Sequence, residues 1–171
     1  SLLKNEIATP FLLHLSCRDH NMIGLQSRLL GMNVLGFDNV LAITGDPSKI
    51  GDFPGATSVY DATSFKLLEL IQQLNHGQGY SGASVKKATN FTAAAAAFNP
   101  NVKNLSRCGR LIERKIASGA DYFITQPIFN ADIFEELADL TKDYETPFFV
   151  GIMAITSYNN AIFLHNEVPG I

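Results

Sequence analysis

A carboxylate delivered to the end of a buried strand is the first arrangement in this 171-residue chain that could do chemistry. Residues 40–43 form an apolar, branched run with the length of a buried strand. Thr44-Gly45-Asp46-Pro47 ends it at once, because Pro47 cannot continue a ladder. Asp46 therefore stands at a strand's C-terminal end, where open parallel sheets and (β/α) barrels alike bind their ligands. Its competing reading is a turn aspartate bonding its own backbone. Gln126 follows the apolar run 122–125 in the same way, and an amide offers both donor and acceptor. Arg114 and Lys115 close a helical stretch, where the plain reading is a solvated basic face. His14 lies among apolar strand residues, where a lone histidine is more often a satisfied core residue.

The elements that must position these groups alternate strictly. Strands are expected at 11–16, 40–43, within 88–98, at 122–125 and at 148–155. The run of alanines from Ala93 has high helix propensity, but Asn99-Pro100 ends it and the next helix begins only after Val102, so it reads as a strand. Met22, Leu25, Leu29, Leu30 and Val34 recur at helical spacing before Gly36, a left-handed C-terminal cap. A second helix spans about 62–74, capped by Asp61 or Thr63. A third carries Leu105, Cys108, Leu111, Ile112 and Ile116 on one face and stops at Ser118-Gly119. A fourth, 131–143, turns Ile133, Phe134, Leu137 and Leu140 inward behind an Asn130 cap. A last helix follows Thr156-Ser157 through Leu164. Residues 45–60 make a loop long enough to be a binding loop, and 75–89 form an exposed excursion.

Five βα units argue a parallel sheet with right-handed crossovers. No Gly-x-Gly-x-x-Gly follows any strand, which counts against a Rossmann dinucleotide site. An open doubly wound sheet and a partial eight-stranded barrel both fit the pattern. Polar strand ends (Arg18-Asp19, Thr44 to Asp46, Asn99, Gln126, Thr156-Ser157) collect chemistry on one rim, as in barrels.

A formal net charge of −3 and an ordinary apolar fraction describe one domain with a real core and no nucleic-acid or membrane surface. The longest apolar runs fall short of the ~20 residues a membrane helix needs, and no secretory signal opens the chain. Cys17 and Cys108 read as buried thiols without a metal role, and a reducing cytoplasm is the simplest setting. Ser1 in place of Met points to a fragment or a processed chain.

Five motifs in order then become recognisable: His14-Leu15-Ser16-Cys17-Arg18-Asp19, Leu41-Ala42-Ile43-Thr44-Gly45-Asp46-Pro47, Ala96-Ala97-Phe98-Asn99-Pro100, residues 119–127 around Thr125-Gln126-Pro127, and Asn166-Glu167-Val168-Pro169-Gly170-Ile171. Together they resemble 5,10-methylenetetrahydrofolate reductase across nearly the whole chain. The Gly51-Asp52-Phe53-Pro54-Gly55-Ala56 loop and the final motif resemble the bacterial bifunctional form, in which a homocysteine S-methyltransferase domain precedes the reductase. The resemblance implies a (β/α)8 TIM barrel holding FAD at the strand C-termini, with residues 1–171 supplying about five units, strands three to seven. Strands one, two and eight, and the family's acidic proton donor on the first, would lie outside it.

The resemblance further implies that FAD takes a hydride from NADH or NADPH and passes it to the folate's methylene carbon in ping-pong fashion. Asp46 then lies beside the flavin and Gln126 on the folate's pterin. His14, Thr44, Gly45, Tyr60, Asp61, Asn99, Arg114 and Lys115 fall at FAD-contacting positions, Lys115 being the better phosphate ligand of its pair. Asn160 and Leu164 stand where relatives use glutamine and phenylalanine against folate or nicotinamide. Thr44 and Asn99 depart from the arginine and histidine of some relatives. Small-molecule substrates, a covalently linked methyltransferase domain and a homo-oligomeric assembly are the partners implied. The alternatives are a non-catalytic remnant that binds flavin or folate or serves only as a scaffold, and a different barrel such as a sugar-phosphate aldolase or lyase, the aldolase wanting a strand-end lysine that none of the expected strands has.

Overall fold

The computed structural model describes residues 6–7, 9–95 and 105–167. Five parallel strands, β1 (Leu12–Ser16), β2 (Asn39–Ile43), β3 (Thr92–Ala95), β4 (Tyr122–Pro127) and β5 (Phe148–Gly151), form one sheet in the order β1-β2-β3-β4-β5. Between and after them run α1 (Met22–Val34), α2 (Ser64–Asn75), α3 (Leu105–Ala117), α4 (Ala131–Thr141) and α5 (Tyr158–Glu167). Strand order equal to sequence order is the signature of single winding, in which every crossover lies on one side. A doubly wound sheet would reverse its order and cover both faces.

Burial confirms the one-sided arrangement. Leu15, Val40, Ala42, Ala93 and Phe123 point to one face and are buried with Leu25 and Leu29 of α1, Leu67 and Ile71 of α2, Ile112 of α3 and Leu137 of α4. Their neighbours along the strands point the other way: His14, Thr92, Gln126 and Phe149 are exposed, Tyr122 and Ile124 are half-buried, and Leu41 on β2 is buried. The period-2 alternation of a strand thus separates a covered face from a bare one. Leu12, Asn39, Thr92, Tyr122, Ile124 and Phe149 line a groove of about 650 Å³ on the bare face. This α/β architecture with parallel strands is consistent with a TIM-barrel-like fold.

Local signals explain the helix ends. Asn21, Thr63, Asn130 and Ser157 each accept a bond from a first-turn backbone N–H of the helix they precede. Gly36 and Gly119, at φ +79° and +102°, follow α1 and α3 in the left-handed conformation that glycine adopts without steric cost. The alanine stretch is a strand over its described part, because β2 and β4 flank it and supply its ladder partners.

Three expectations need correction. The last strand ends at Gly151 rather than running on to 155, and Ile152, Met153 and Ile155 are exposed. Phe134 of α4 is 49% exposed rather than inward. Asp61 caps α1 rather than α2: its carboxylate accepts the backbone N–H of Met22 at 2.9 Å, tying the end of the long loop to another helix.

Candidate functional site

The C-terminal end of β2 is held more tightly than a surface turn requires. Thr44, Gly45 and Asp46 follow the strand, and each of their carbonyls accepts a bond from a different side chain. Ser16 Oγ donates to Thr44 O at 3.4 Å, Tyr60 Oη to Gly45 O at 3.1 Å, and Arg18 Nη1 to Asp46 O at 3.1 Å. Gly45 adopts φ +86°, and a Cβ built on it would lie 2.1 Å from Ser16 Oγ, so the turn admits no side chain there. Asp46 itself is exposed, and its carboxylate has no hydrogen-bond partner among the described residues.

Arg18 is committed on every nitrogen. Its Nε and Nη2 bond Asp19 Oδ1 and Oδ2 at 2.7 and 3.2 Å while Nη1 reaches Asp46. This fork holds the Asp19 carboxyl below the usual carboxylate range. The backbone of Arg18 also donates to Ser16 Oγ and accepts from Val59 N–H at 2.7 Å, closing the long loop onto β1.

Gln126 is presented differently. It is exposed on the bare face, next to an irregularity where the pairing of β4 with β5 shifts between Ile124 and Pro127. The buried hydroxyl of Thr125 fills that shift, donating to Gln126 O at 2.8 Å and accepting Gly151 N–H at 3.0 Å. A Cβ on Gly151 would come 2.8 Å from Thr125 O, which explains the glycine.

Of the remaining expected site residues, His14 is exposed on the bare face of β1, opposite Leu41, and so is not a core histidine. Thr44 and Tyr60 are exposed, and Tyr60 takes the positive φ of 45° unusual for a non-glycine residue. Arg114 is exposed with its guanidinium 4.5 Å from the centre of the Phe65 ring. Lys115 departs from the solvated basic face: it is buried, and burial pulls its pKa down to about 8. Asn160 is half-buried in the first turn of α5, and Leu164 is buried farther along it. Asn99 lies outside the described residues, as do 96–100 and 168–171 of the recognised motifs. Cys17 and Cys108 are buried thiols, the former pushed up to about 11 by burial.

The structure therefore brings Thr44, Gly45, Asp46 and Tyr60 into one bonded cluster, with His14 and Gln126 on the same face of the sheet. Arg114 and Lys115 belong to the helix layer. Ser16 and Thr125 are residues that sequence reasoning gave no site role, and Arg18 was named only as a polar strand end. For Ser16 the available signal was parity, since it shares a strand face with His14.

Two surfaces offer donors or contact area to a ligand. Arg107, Arg110, Leu111 and Arg114 line a basic groove of about 400 Å³ matched to phosphate chemistry. The bare sheet face, apolar with polar groups at its rim, suits an aromatic ring system. Among the described residues no group of three His, Cys, Asp or Glu side chains could hold a metal ion, and no helix is long and apolar enough to cross a membrane.

Residues 1–168 match the family model described as methylenetetrahydrofolate reductase. The chain is 23% identical over 154 residues to a probable methylenetetrahydrofolate reductase (NADPH) of Caenorhabditis elegans, covering 87% of this chain and 21% of that protein. It is 26% identical over 177 residues to a probable methylenetetrahydrofolate reductase (NADH) of Oryza sativa subsp. japonica, and 25% identical to methylenetetrahydrofolate reductase (NADH) 1 of Zea mays, in each case covering 98% of this chain and 29% of the relative. The chain thus spans between a fifth and a third of the length of these curated relatives.

Proposed function

The chain belongs to the methylenetetrahydrofolate reductase family, and from that premise we propose that it is the ligand-binding wall of a flavin-dependent enzyme reducing 5,10-methylenetetrahydrofolate to 5-methyltetrahydrofolate with NADH or NADPH. The observation that carries this reading is that an exposed Asp46 carboxylate, without a hydrogen-bond partner among the described residues, stands just past the C-terminal end of β2, and an exposed Gln126 amide stands at the C-terminal end of β4 in the same parallel sheet.

FAD would supply hydride acceptance and donation. Asp46 would place a fixed negative charge at the strand end, favouring the cationic iminium form of the folate over neutral ground states. Gln126 would hold the pterin edge through its two-sided amide. His14, Thr44 and Gly45 would border the ring, and Tyr60 would orient it while bracing the Gly45 carbonyl. Asp61 would act at the adenosine side, in competition with its cap on α1, and Asn99 keeps its place in this reading by resemblance. Arg114 and Lys115 would meet the phosphates. A bound anion would favour the charged form of this buried amine and raise its pKa from about 8. Asn160 and Leu164 would contact folate or nicotinamide.

The same reading makes residues 1–171 strands three to seven of an eight-stranded barrel, with the bare face as barrel interior. Alternate use of one flavin face would give ping-pong kinetics. Linkage to a homocysteine S-methyltransferase domain, a homo-oligomeric assembly and a cytoplasmic location complete the proposal, resting on the 51–56 loop, the family resemblance and the reduced cysteines. The relatives' names include both NADH and NADPH, and the proposal admits either coenzyme.

The test uses the full-length protein. With FAD bound, anaerobic NADH or NADPH should bleach the visible flavin spectrum, and added methylenetetrahydrofolate should restore it. A protein that binds flavin but gives neither change is a binding scaffold rather than a reductase.

A further inference from the structure

The Thr44 to Asp46 turn is fixed by residues that no ligand-contact role would require. Its three successive carbonyls are taken by side chains from the end of β1, from the loop after β1 and from the far end of the long loop. One such bond would be ordinary for a turn. Three together set the orientation of three consecutive peptide planes, and Gly45 supplies the positive φ and the space beside Ser16 that this arrangement uses.

Within this arrangement Arg18 is the hub. It bonds Asp19 with two nitrogens and Asp46 with the third, and its own backbone joins Ser16 to Val59. A guanidinium can serve three acceptors in one plane because its donors form a rigid fork, which an ammonium cannot reproduce. The bond to Asp46 goes to the main chain, so the carboxylate's acceptor sites are left open to a ligand.

We infer that Arg18, held by Asp19, is a positioning residue that acts through Asp46: it fixes the backbone carrying that carboxylate and so sets where its charge stands. The inference rests on the catalytic reading of Asp46 given above. Displacing a correctly placed group by about 1 Å can cost about a hundredfold in rate. The expected sign is therefore a loss confined to the step that uses Asp46.

The experiment is a double-mutant cycle in the full-length, FAD-loaded protein, following flavin absorbance by stopped flow in each half-reaction. Arg18→Met should slow flavin reoxidation by methylenetetrahydrofolate roughly tenfold and leave reduction by NADH or NADPH within about twofold. In the Asp46→Asn background the same change should cost less than about twofold, because the charge it positions is gone. Equal slowing in both backgrounds, or slowing of both half-reactions alike, overturns the inference. An Asp46→Asn protein with unaltered reoxidation overturns the catalytic reading itself, and the inference with it, which distinguishes the two failures. If Arg18→Met does not fold or loses flavin, Arg18→Lys carries the cycle: it keeps the charge and loses the fork. Arg18→Lys with wild-type rates in both half-reactions overturns the positioning role.

Discussion

One sheet carries two faces of opposite character. On the covered face, Leu15, Val40, Ala42, Ala93 and Phe123 meet the helices and exclude water. On the bare face, one step along the strands, His14, Thr92, Gln126 and Phe149 are exposed, while Leu41 on β2 is buried. Composition hardly separates the two, since both include aromatic and aliphatic side chains. What separates them is strand parity combined with the one-sided winding of the crossovers. Apolar residues on one face hold the fold, while polar residues on the other are free to meet a ligand. Thr125 and Gln126, adjacent in sequence, show the division: the first is buried and spends its hydroxyl on the backbone, and the second is exposed.

The sharpest way to break this comparison is to remove its largest covered ring. Phe123 is fully buried and stacked on Phe148, with centroids 4.8 Å apart and planes 7° from parallel. Phe123→Ala should cost about 3–5 kcal/mol in urea unfolding, enough to leave a domain of this size barely folded. Retention of most of the stability would mean the face is not the core.

Lys115 tests the covered side by charge instead of volume. Its pKa in the folded chain, about 8, lies below the 10.5 of an exposed lysine because burial penalises the charged form. Between those values the unfolded chain binds more protons than the folded one, so stability should rise with pH from about 8 to about 10.5. The rise from this group is on the order of 3 kcal/mol. Lys115→Met should flatten it and raise stability at neutral pH, read from urea midpoints across pH. Bound FAD should flatten it as well if an anion sits beside the amine, and persistence of the rise with FAD present would remove Lys115 from phosphate binding.

Much of this division was legible in the sequence. The apolar runs of β2 and β4, the helical spacing of Leu105 to Ile116 and the glycines after α1 and α3 are local signals, and they placed elements within a few residues. The misses share one physical cause. Phe134 lies on the correct helical period yet is 49% exposed, because among the described residues no element covers that part of α4. The run 148–155 continues in apolarity past the point where Gly151 and the Thr125 irregularity end the pairing. Asp61 finds its acceptor role on a helix that begins 39 positions earlier, and Arg18 meets Asp46 across 28. Contacts at such separations are set by the fold, and local pattern carries no trace of them.

A smaller effect probes the junction between the faces. Thr125→Val keeps the volume but removes the hydroxyl that accepts Gly151 N–H and donates to Gln126 O. Leaving a half-buried N–H without its partner should cost about 1–3 kcal/mol. If Thr125 also steadies Gln126, folate affinity should fall while FAD affinity is kept, measured by separate titrations. Unchanged folate affinity with the stability loss intact would make Thr125 purely structural.

The smallest expected effect decides what the bare face is. Phe149 is 58% exposed and meets Tyr122 edge-on, with ring centroids 5.5 Å apart. In the isolated 171-residue chain, Phe149→Ala should change unfolding stability by no more than about 0.5 kcal/mol, as for other exposed positions. In the full-length protein the barrel proposal puts the same ring in a filled interior, where its removal should cost several-fold more. Two equally small effects would mean the groove stays open in the whole protein, and the partial-barrel reading would fall. A large effect in the isolated chain would mean that copies of the chain cover this face for one another, since an uncovered apolar sheet face invites association. The unfolding midpoint would then shift with protein concentration, which separates that outcome from a buried interior ring.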